Sequence, residues 1–481
     1  MEKIKFEELG ISEEVLKSLS KLGFENPSDV QSMVIPVALQ DKDIIVKAQT
    51  GSGKTAAFAI PFCEKIELEE RKPQVLVLAP TRELALQVKQ DITDIGRFKR
   101  IRAVAIFGKQ PMSGQKIELK QRVHVIVGTP GRTFDHIERG NIDLSGIKYL
   151  VIDEADEMLN MGFIDQVESI IRLLPKKRIT MLFSATIEEK IEKLCNKHMI
   201  DPVKIEVTPK SITTDDVEQI YYEVEYNKKS DLLKKIIYTE VPESSIIFCN
   251  TKETVNGLIQ NMKDQGHSCD ALHGGMEQKD RLSAMERFKR GEFRFLVATD
   301  VAARGISVDG ISHVINYDVP KEKESYVHRI GRTGRAGNKG KSITFITPTE
   351  YKYLDMIQDY IDFRIPRGEI PSKEKIEEGK KLYEEKIKVK PKLKVNKNAQ
   401  LNKEITKIHI NAGKKKKIRA LDIVGTIISI EDITAEDIGI IDIQEGFSYV
   451  DILHGKGYLV LEALKDKTIK GKKVRVQRAS K

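Results

Sequence analysis

The 481-residue chain is long enough for about three domains, and its hydrophobic content of 40% is sufficient for globular cores. No apolar run approaches the ~18 residues of a membrane span, and the start MEKIKFEELG lacks the basic-then-apolar order of a signal peptide, so a cytoplasmic protein with no membrane partner is expected. The formal charge of +9 is unevenly placed: residues 1–370 hold 55 Lys+Arg against 56 Asp+Glu, a net of −1, whereas residues 371–481 hold 26 against 16, a net of +10. A near-neutral body with a basic appendage points to a polyanion as the partner of the tail, nucleic acid above all. Cys63, Cys195, Cys249 and Cys269 stand far apart, with no CxxC and no His at ligand spacing, which argues against a disulfide framework or a metal cluster and suggests four small buried hydrophobes.

In chain order, residues 24–205 alternate short apolar runs with helical stretches. The runs are IIVKA, QVLVLAP, RAVAIFG, HVIVGTP, YLVIDEAD and ITMLFSAT, and several end in small or polar residues, as strands do where their carboxyl ends carry a site. The first run leads into AQTGSGKT at 48–55, a P-loop pattern with Ala48 in the first glycine slot. Across Gln49, Thr50, Gly51, Ser52 and Gly53 the loop can close its backbone N–H groups on phosphates, while Lys54 reaches the β/γ oxygens and Thr55 offers a hydroxyl to Mg2+. The fifth run ends in VIDEAD at 151–156, which sets Asp153 at the carboxyl edge of a buried strand to hold the metal and Glu154 beside it to polarise a water. Together the two motifs imply a nucleotide triphosphatase.

From about residue 213 the alternation restarts with SIIFCNT, CDALHG, FRFLVATD, HVINYDVP and GKSITFITP, a second α/β unit. The expected boundaries are a first domain over 1–207, a hinge at 208–213, a second domain over 214–365, a charged linker, mobile or partly helical, over 366–403, and a compact domain over 404–481. In that last domain the pattern reads βαββαβ, with strands at 406–411, 438–443, 447–452 and 473–478 and helices at 418–430 and 458–464.

Further motifs stand around these runs: GFENPSDVQ at 23–31 with Phe6 upstream, PTRELA at 80–85, TPGR at 129–132, SAT at 184–186, ARG at 303–305 and HRIGRTGR at 328–335. In this ordered set the chain resembles the DEAD-box ATP-dependent RNA helicases over residues ~4–365, and over its whole length the DbpA-type members that add a small RNA-binding domain. The resemblance implies an α/β protein of two tandem RecA-like parallel-sheet domains followed by a small α+β, RRM-like domain. It implies that Gln31 meets the adenine of ATP with Phe6 or Phe24 over the ring, that Glu154 orients or deprotonates the attacking water, and that Asp156 faces the closing domain. It also implies a catalytic set completed by His328, Arg332 and Arg335, the two arginines reaching the γ-phosphate. RNA would be gripped through Pro80, Thr81, Arg82, Gly108, Thr129, Gly131 and Arg132 on the first domain and Thr251, Gly274, Gln278, Arg281 and Thr299 on the second. Many of these are small or hydroxylic, as suits phosphates and 2′-hydroxyls held without base reading. Because Lys54 and Arg335 lie in different units, hydrolysis waits on domain closure; an arginine finger is worth on the order of 10³–10⁵ in rate.

The chain departs from the family pattern at Ser28, usually Thr, at Lys109, where many relatives have a second glycine after Gly108, and at Ser307, where a ribose-contacting Asp is usual and Asp309 is the available substitute. In the tail, GFSYV at 446–450 approximates the base-stacking motif of RNA-recognition modules, so Phe447 and Tyr449 are candidate RNA contacts on one strand face with Lys407, His409, Lys473 and Arg475 as expected companions. Arg475 is also a candidate RNA contact, and Lys414, Lys415, Lys416 and Lys417 with Arg419 form the candidate phosphate contact. The reading is an RNA-dependent ATPase that separates short RNA duplexes, drawn by its tail to 23S rRNA during assembly of the large (50S) ribosomal subunit. The alternatives are an ATP-gated RNA clamp and a DNA helicase.

Overall fold

The computed structural model describes residues 4–49, 51–207, 216–300, 311–334, 339–389 and 404–479. The hinge expected at 208–213 lies outside the described residues. The first domain is built on seven parallel strands, β1 (Ile44–Lys47), β2 (Val75–Leu78), β3 (Ala103–Ile106), β4 (Val125–Gly128), β5 (Tyr149–Ile152), β6 (Ile179–Ser184) and β7 (Val203–Glu206), in the order β3-β4-β2-β5-β6-β1-β7. The runs VLVL and YLVI are apolar at every position because both faces of the sheet are covered. Val75, Val77 and Val151 join one buried cluster, while Leu76, Leu78, Leu150 and Ile152 join the other. Each such fully buried side chain stabilises the fold by about 1.5–3 kcal/mol.

The second domain repeats the scheme with six parallel strands, β8 (Val217–Glu223), β9 (Ser245–Cys249), β10 (Cys269–Leu272), β11 (Phe295–Thr299), β12 (His313–Asn316) and β13 (Gly340–Ile346), ordered β10-β11-β9-β12-β13-β8. Five of these strands are legible in the sequence. The edge strand β8, with the polar pattern VEQIYYE, is not. The segment expected as a charged linker contains a helix, Lys373–Lys388, packed on this domain. Its buried stripe is Ile376, Gly379 and Tyr383, hidden among Lys and Glu. A Cβ on Gly379 would sit 2.2 Å from the Tyr238 carbonyl oxygen, and the Tyr383 hydroxyl meets His267 Nδ1 at 2.7 Å.

The C-terminal domain is a four-stranded antiparallel sheet of β14 (Thr406–Ile410), β15 (Ile438–Ile443), β16 (Ser448–Ile452) and β19 (Val476–Arg478), ordered β15-β16-β14-β19. One face, with Ile408, Ile410, Val450 and Ile452, is buried against the helices Ala420–Ile428 and Gly457–Asp466 through Ile423, Ile427, Val460 and Leu464. The last expected strand is split. Lys473 belongs to a hairpin, β17 (Thr468–Ile469) with β18 (Lys472–Lys473), turned at Gly471 with φ 71°, and Arg475 donates its N–H to the Asn411 side chain. Gln477, rather than Lys473 or Arg475, therefore stands across from His409. Among the described residues, the first sheet and this C-terminal sheet belong to one compact unit and the second sheet to another.

Candidate active site and nucleic-acid surfaces

Strand order divides the carboxyl edge of the first sheet into two halves. The loops after β5, β6 and β1 are adjacent and carry the DEAD, SAT and P-loop motifs, while those after β3, β4 and β2 are adjacent and carry Gly108, the TPGR run and the PTRELA run. A sequence scattered over 140 residues is thereby gathered into one strip, as the topology of open α/β sheets requires.

In the nucleotide half, β1 runs into buried Ala48, Gly51 and Gly53 take left-handed φ values of 90° and 94°, and Lys54 opens the helix Lys54–Lys65. Lys54 Nζ donates to the Ala48 carbonyl at 3.0 Å, holding the ammonium at the loop. Gln31 and Ser28 clamp the same loop. The Gln31 amide accepts from Ser28 N–H at 3.0 Å and donates to the Gly53 carbonyl at 3.2 Å, and the Ser28 hydroxyl donates to the Ser52 carbonyl at 2.8 Å. Serine keeps the bond that threonine would make there. Phe6 is buried and meets Phe24 edge-on with centroids 6.2 Å apart, so Phe24 is the more accessible of the two rings. Thr50 and Asp309, both expected at the nucleotide, lie outside the described residues.

Asp153 follows β5 and is buried, with Oδ1 lacking any hydrogen-bond partner. Burial pushes its carboxyl up to about 7; Lys54 opposes this, while Glu154 and Asp156 add to it. A buried carboxylate oxygen without a donor suits a divalent cation, and the Thr55 hydroxyl is the neighbouring oxygen type that such an ion accepts. Among the described residues no group of three or more His, Cys, Asp or Glu could hold a metal ion, a set that a magnesium held largely by nucleotide phosphates does not need. Glu154 has φ 54° and ψ 57°, a left-handed conformation costing a non-glycine residue about 1–3 kcal/mol, at the start of the helix Ala155–Asn160. Asp156 ties two motifs together: its N–H donates to the Ser184 hydroxyl at 3.1 Å, its carboxylate accepts from Ala185 N–H at 3.2 Å, and Ser184 in turn donates to the Thr186 carbonyl at 2.6 Å. This knot between β5 and β6 is a detail that spacing alone does not reveal.

In the other half, Thr81 caps the helix Arg82–Ile95 by accepting from Leu84 N–H, with Pro80 buried before it, and a Cβ on Gly108 would approach Arg82 within 3.6 Å. Arg132 is held by the Gln110 carbonyl and the Gln115 side chain, both at 3.1 Å, in a helix begun by Thr129 and containing Gly131. Lys109 has φ 57°, the conformation that glycine adopts freely in relatives with two glycines. In the second domain, Thr251 follows β9 and caps the helix Lys252–Asp264, Gly274 follows β10 just ahead of Gln278 and Arg281, and Thr299 ends β11; the three strands are again adjacent. His328 lies in the helix Lys323–Ile330, and Arg332 Nε donates back to its carbonyl at 3.2 Å. Arg335 lies outside the described residues. Sequence reasoning passed over Arg329 of the same motif. It is fully buried, bound to both Asp300 oxygens at 2.5 and 2.6 Å, to the Asp318 carbonyl at 2.6 Å and to Asn250 at 3.0 Å, and its guanidinium lies over Phe248. That makes it a positioning residue for the ends of β9, β11 and β12.

In the C-terminal domain, His409, Phe447 and Tyr449 form a triangle with all centroids 5.4 Å apart on the sheet face not covered by the domain's own helices. Lys414–Lys416 form a single turn whose backbone is pinned to Gln444 and Glu445, and Lys470 and Lys472 reach the Lys417 and Lys416 carbonyls, so the lysine run gathers two further cations. Arg419 precedes the helix Ala420–Ile428.

Three family models match the chain: DEAD/DEAH box helicase over residues 28–194, helicase conserved C-terminal domain over 227–337, and DbpA RNA binding domain over 407–478. The ATP-dependent RNA helicase DbpA of Bacillus subtilis is 55% identical over 476 residues, covering 99% of each chain. The DEAD-box ATP-dependent RNA helicase CshA of Geobacillus kaustophilus is 45% identical over 78% of this chain and 80% of its own. Among solved structures, S. cerevisiae Dbp5 bound to RNA and ADP BeF3 superposes with a TM-score of 0.72 at 33% identity, over 79% of this chain and 99% of that one. Two RecA-like domains with these motifs at their sheet edges, followed by a DbpA-type RNA-binding domain, identify the chain as a member of the DEAD-box ATP-dependent RNA helicases.

Proposed function

We propose that this DEAD-box enzyme couples Mg2+-dependent ATP hydrolysis to the separation of short RNA duplexes in the cytoplasm, and that its C-terminal domain directs it to a structured element of 23S rRNA during large-subunit assembly. The observation that carries the coupling is the division of one sheet edge into a nucleotide half and a phosphate-gripping half that meet at the paired strands β5 and β2. Thr55 and Asp153 would hold magnesium, which when bound offsets the charge of the β and γ phosphates. Lys54 neutralises the same oxygens, Glu154 orients the attacking water and accepts its proton, and Gln31 braces the P-loop while meeting adenine. Arg332 and Arg335 supply the charge that the transition state lacks, once RNA favours closure. With stacking of about 1.4 kcal/mol per step, opening of short duplexes rather than long processive unwinding fits such a cycle. The ribosomal target is supported by the likeness of the tail to the DbpA type and by its positive charge.

ATP turnover of the full chain at limiting 23S rRNA, unrelated RNA of equal length and DNA, run beside a strand-separation assay, tests the reading. Half-saturation by 23S rRNA at a concentration at least tenfold lower is the expected result. Equal responses to the two RNAs remove the ribosomal target, turnover without strand separation favours a clamp, and equal opening of a DNA duplex favours a DNA helicase.

A further inference from the structure

The C-terminal domain does not present its sheet face freely. The end of the first domain opposite its carboxyl edge carries the basic run RFKRIR at 97–102, and this run meets the acidic end of that face. Arg97 pairs with Asp451 at 3.3 Å, Arg102 with Asp442 at 2.9 Å, and Arg100 donates to the Ala435 carbonyl at 2.9 Å. Phe98 is buried with Leu22, Ile405 and Leu453, stacks on His454 at 6.3 Å and 12°, and lies under the Lys17 ammonium at 4.6 Å; Lys21 pairs with Glu404. Both carboxylates belong to the face that bears the aromatic triangle, for Asp442 is the cross-strand partner of Tyr449 and Asp451 that of Lys407. Directly opposed residues have Cβ atoms about 4.5–5.5 Å apart. A nucleotide stacked on Tyr449 extends its ribose and phosphate onto the neighbouring positions, which Arg97 and Arg102 occupy.

The two carboxylates are placed poorly for phosphate and well for arginine. Asp451 is only 2% exposed and neither of its oxygens has a hydrogen bond, so its charge is compensated by ion pairs, with Arg97 of the first domain at 3.3 Å and with Lys407 of its own sheet at 3.8 Å. Although burial opposes it, the Arg102 guanidinium together with hydrogen bonds keeps the Asp442 carboxyl below the usual range.

We propose that this contact is a latch: the first domain parks the C-terminal domain through the acidic end of its own sheet face, and RNA taken up on that face must displace Arg97, Arg100 and Arg102. The proposal rests on the reading that Phe447 and Tyr449, on the face they share with His409, bind RNA. When the competent state is a fraction f of molecules, apparent affinity falls by that fraction, so a latch closed about nine-tenths of the time weakens RNA binding about tenfold. The lysine run at 414–417, pinned to Gln444 and Glu445, takes no part in the ion pairs of this contact, and Lys414 and Lys415 are exposed to attract RNA before the latch opens.

The test uses the full chain with one dye on the first domain and one on the C-terminal domain. Adding 23S rRNA without nucleotide is expected to lower energy transfer. R97E/R102E, which leaves the RNA face intact, is expected to lower transfer without RNA and to tighten RNA binding by about fivefold or more, whereas R97K/R102K keeps both near wild type. The pair R102D/D442R should restore transfer lost in R102D. Unchanged transfer at saturating RNA, or unchanged affinity in R97E/R102E despite lowered transfer, overturns the latch and leaves the RNA-binding reading in place. An unaltered RNA affinity in Tyr449→Ala overturns the sheet-face reading, and with it the latch.

Discussion

The two parallel-sheet domains share an architecture and differ in how each treats its buried charge. In the first, Asp153 is buried with an oxygen that no donor reaches among the described residues, Glu154 stands in a strained backbone conformation, and Lys54 donates to a carbonyl. In the second, Arg329 is buried as deeply yet saturated by two carboxylate oxygens, a carbonyl and two asparagine side chains. The first domain keeps polar capacity unmet, which is what a site needs in order to take up a charged substrate. The second uses its buried charge to hold strand ends rigid behind Arg332. Chemistry and alignment are therefore separate tasks on two copies of one scaffold.

Glu154→Gln removes the proposed proton acceptor and leaves Lys54, Thr55 and Asp153 in place, so turnover should fall by on the order of 10³ or more with ATP and RNA binding kept, as read by phosphate release beside equilibrium binding. Near-normal turnover would deprive the first domain of its chemical role. Arg332→Ala should lower RNA-stimulated turnover by on the order of 10³, with ATP affinity in the absence of RNA nearly unchanged; an equal loss of that affinity would erase the division of labour. The sharpest contrast is in stability. Arg329→Ala strands Asp300 and should cost about 3–5 kcal/mol in urea unfolding, whereas Asp153→Asn removes a buried charge that Lys54 offsets only in part and should leave the melting temperature at pH 8 equal or higher while abolishing turnover. A destabilising Asp153→Asn would show that the charge is already satisfied.

The smallest expected effect is one of pH. Burial lowers the pKa of His267 from its ordinary 6.5 to about 4, so the folded second domain holds it neutral and protonation favours unfolding. Stability from this source is complete above pH 6.5 and is lost as pH falls towards 4, by about 2 kcal/mol at pH 5. Denaturant unfolding of the His267→Gln variant should lack that slope.

The two sheets and the nucleotide strip were legible because their signals are local. A buried parallel strand reads as a continuous apolar run, and phosphate chemistry requires glycine, lysine and carboxylate at short fixed spacings. What escaped depends on partners distant in sequence. β8 is an edge strand in which buried Val217 and Tyr222 are interleaved with polar residues, one of them, Gln219, itself buried against the Tyr326 hydroxyl, so its pattern matches no apolar run. The helix Lys373–Lys388 hides two apolar anchors and one glycine in a charged segment. Arg329 reads as one more arginine in HRIGRTGR until Asp300, Asp318 and Asn250 surround it. The pairing of Arg102 with Asp442 spans 340 positions, and nothing in either segment names the other.

Gly379 bears on where the second domain ends. Charge pattern places its boundary near Pro366, yet the helix lying against the Tyr238 backbone at Gly379, with Tyr383 filling the space beside His267 and Phe295, is part of the domain's own wall. A protease or a stop codon that removes residues after 365 would uncover those rings and leave a sticky, aggregation-prone fragment. One that cuts after 389 would leave the wall intact.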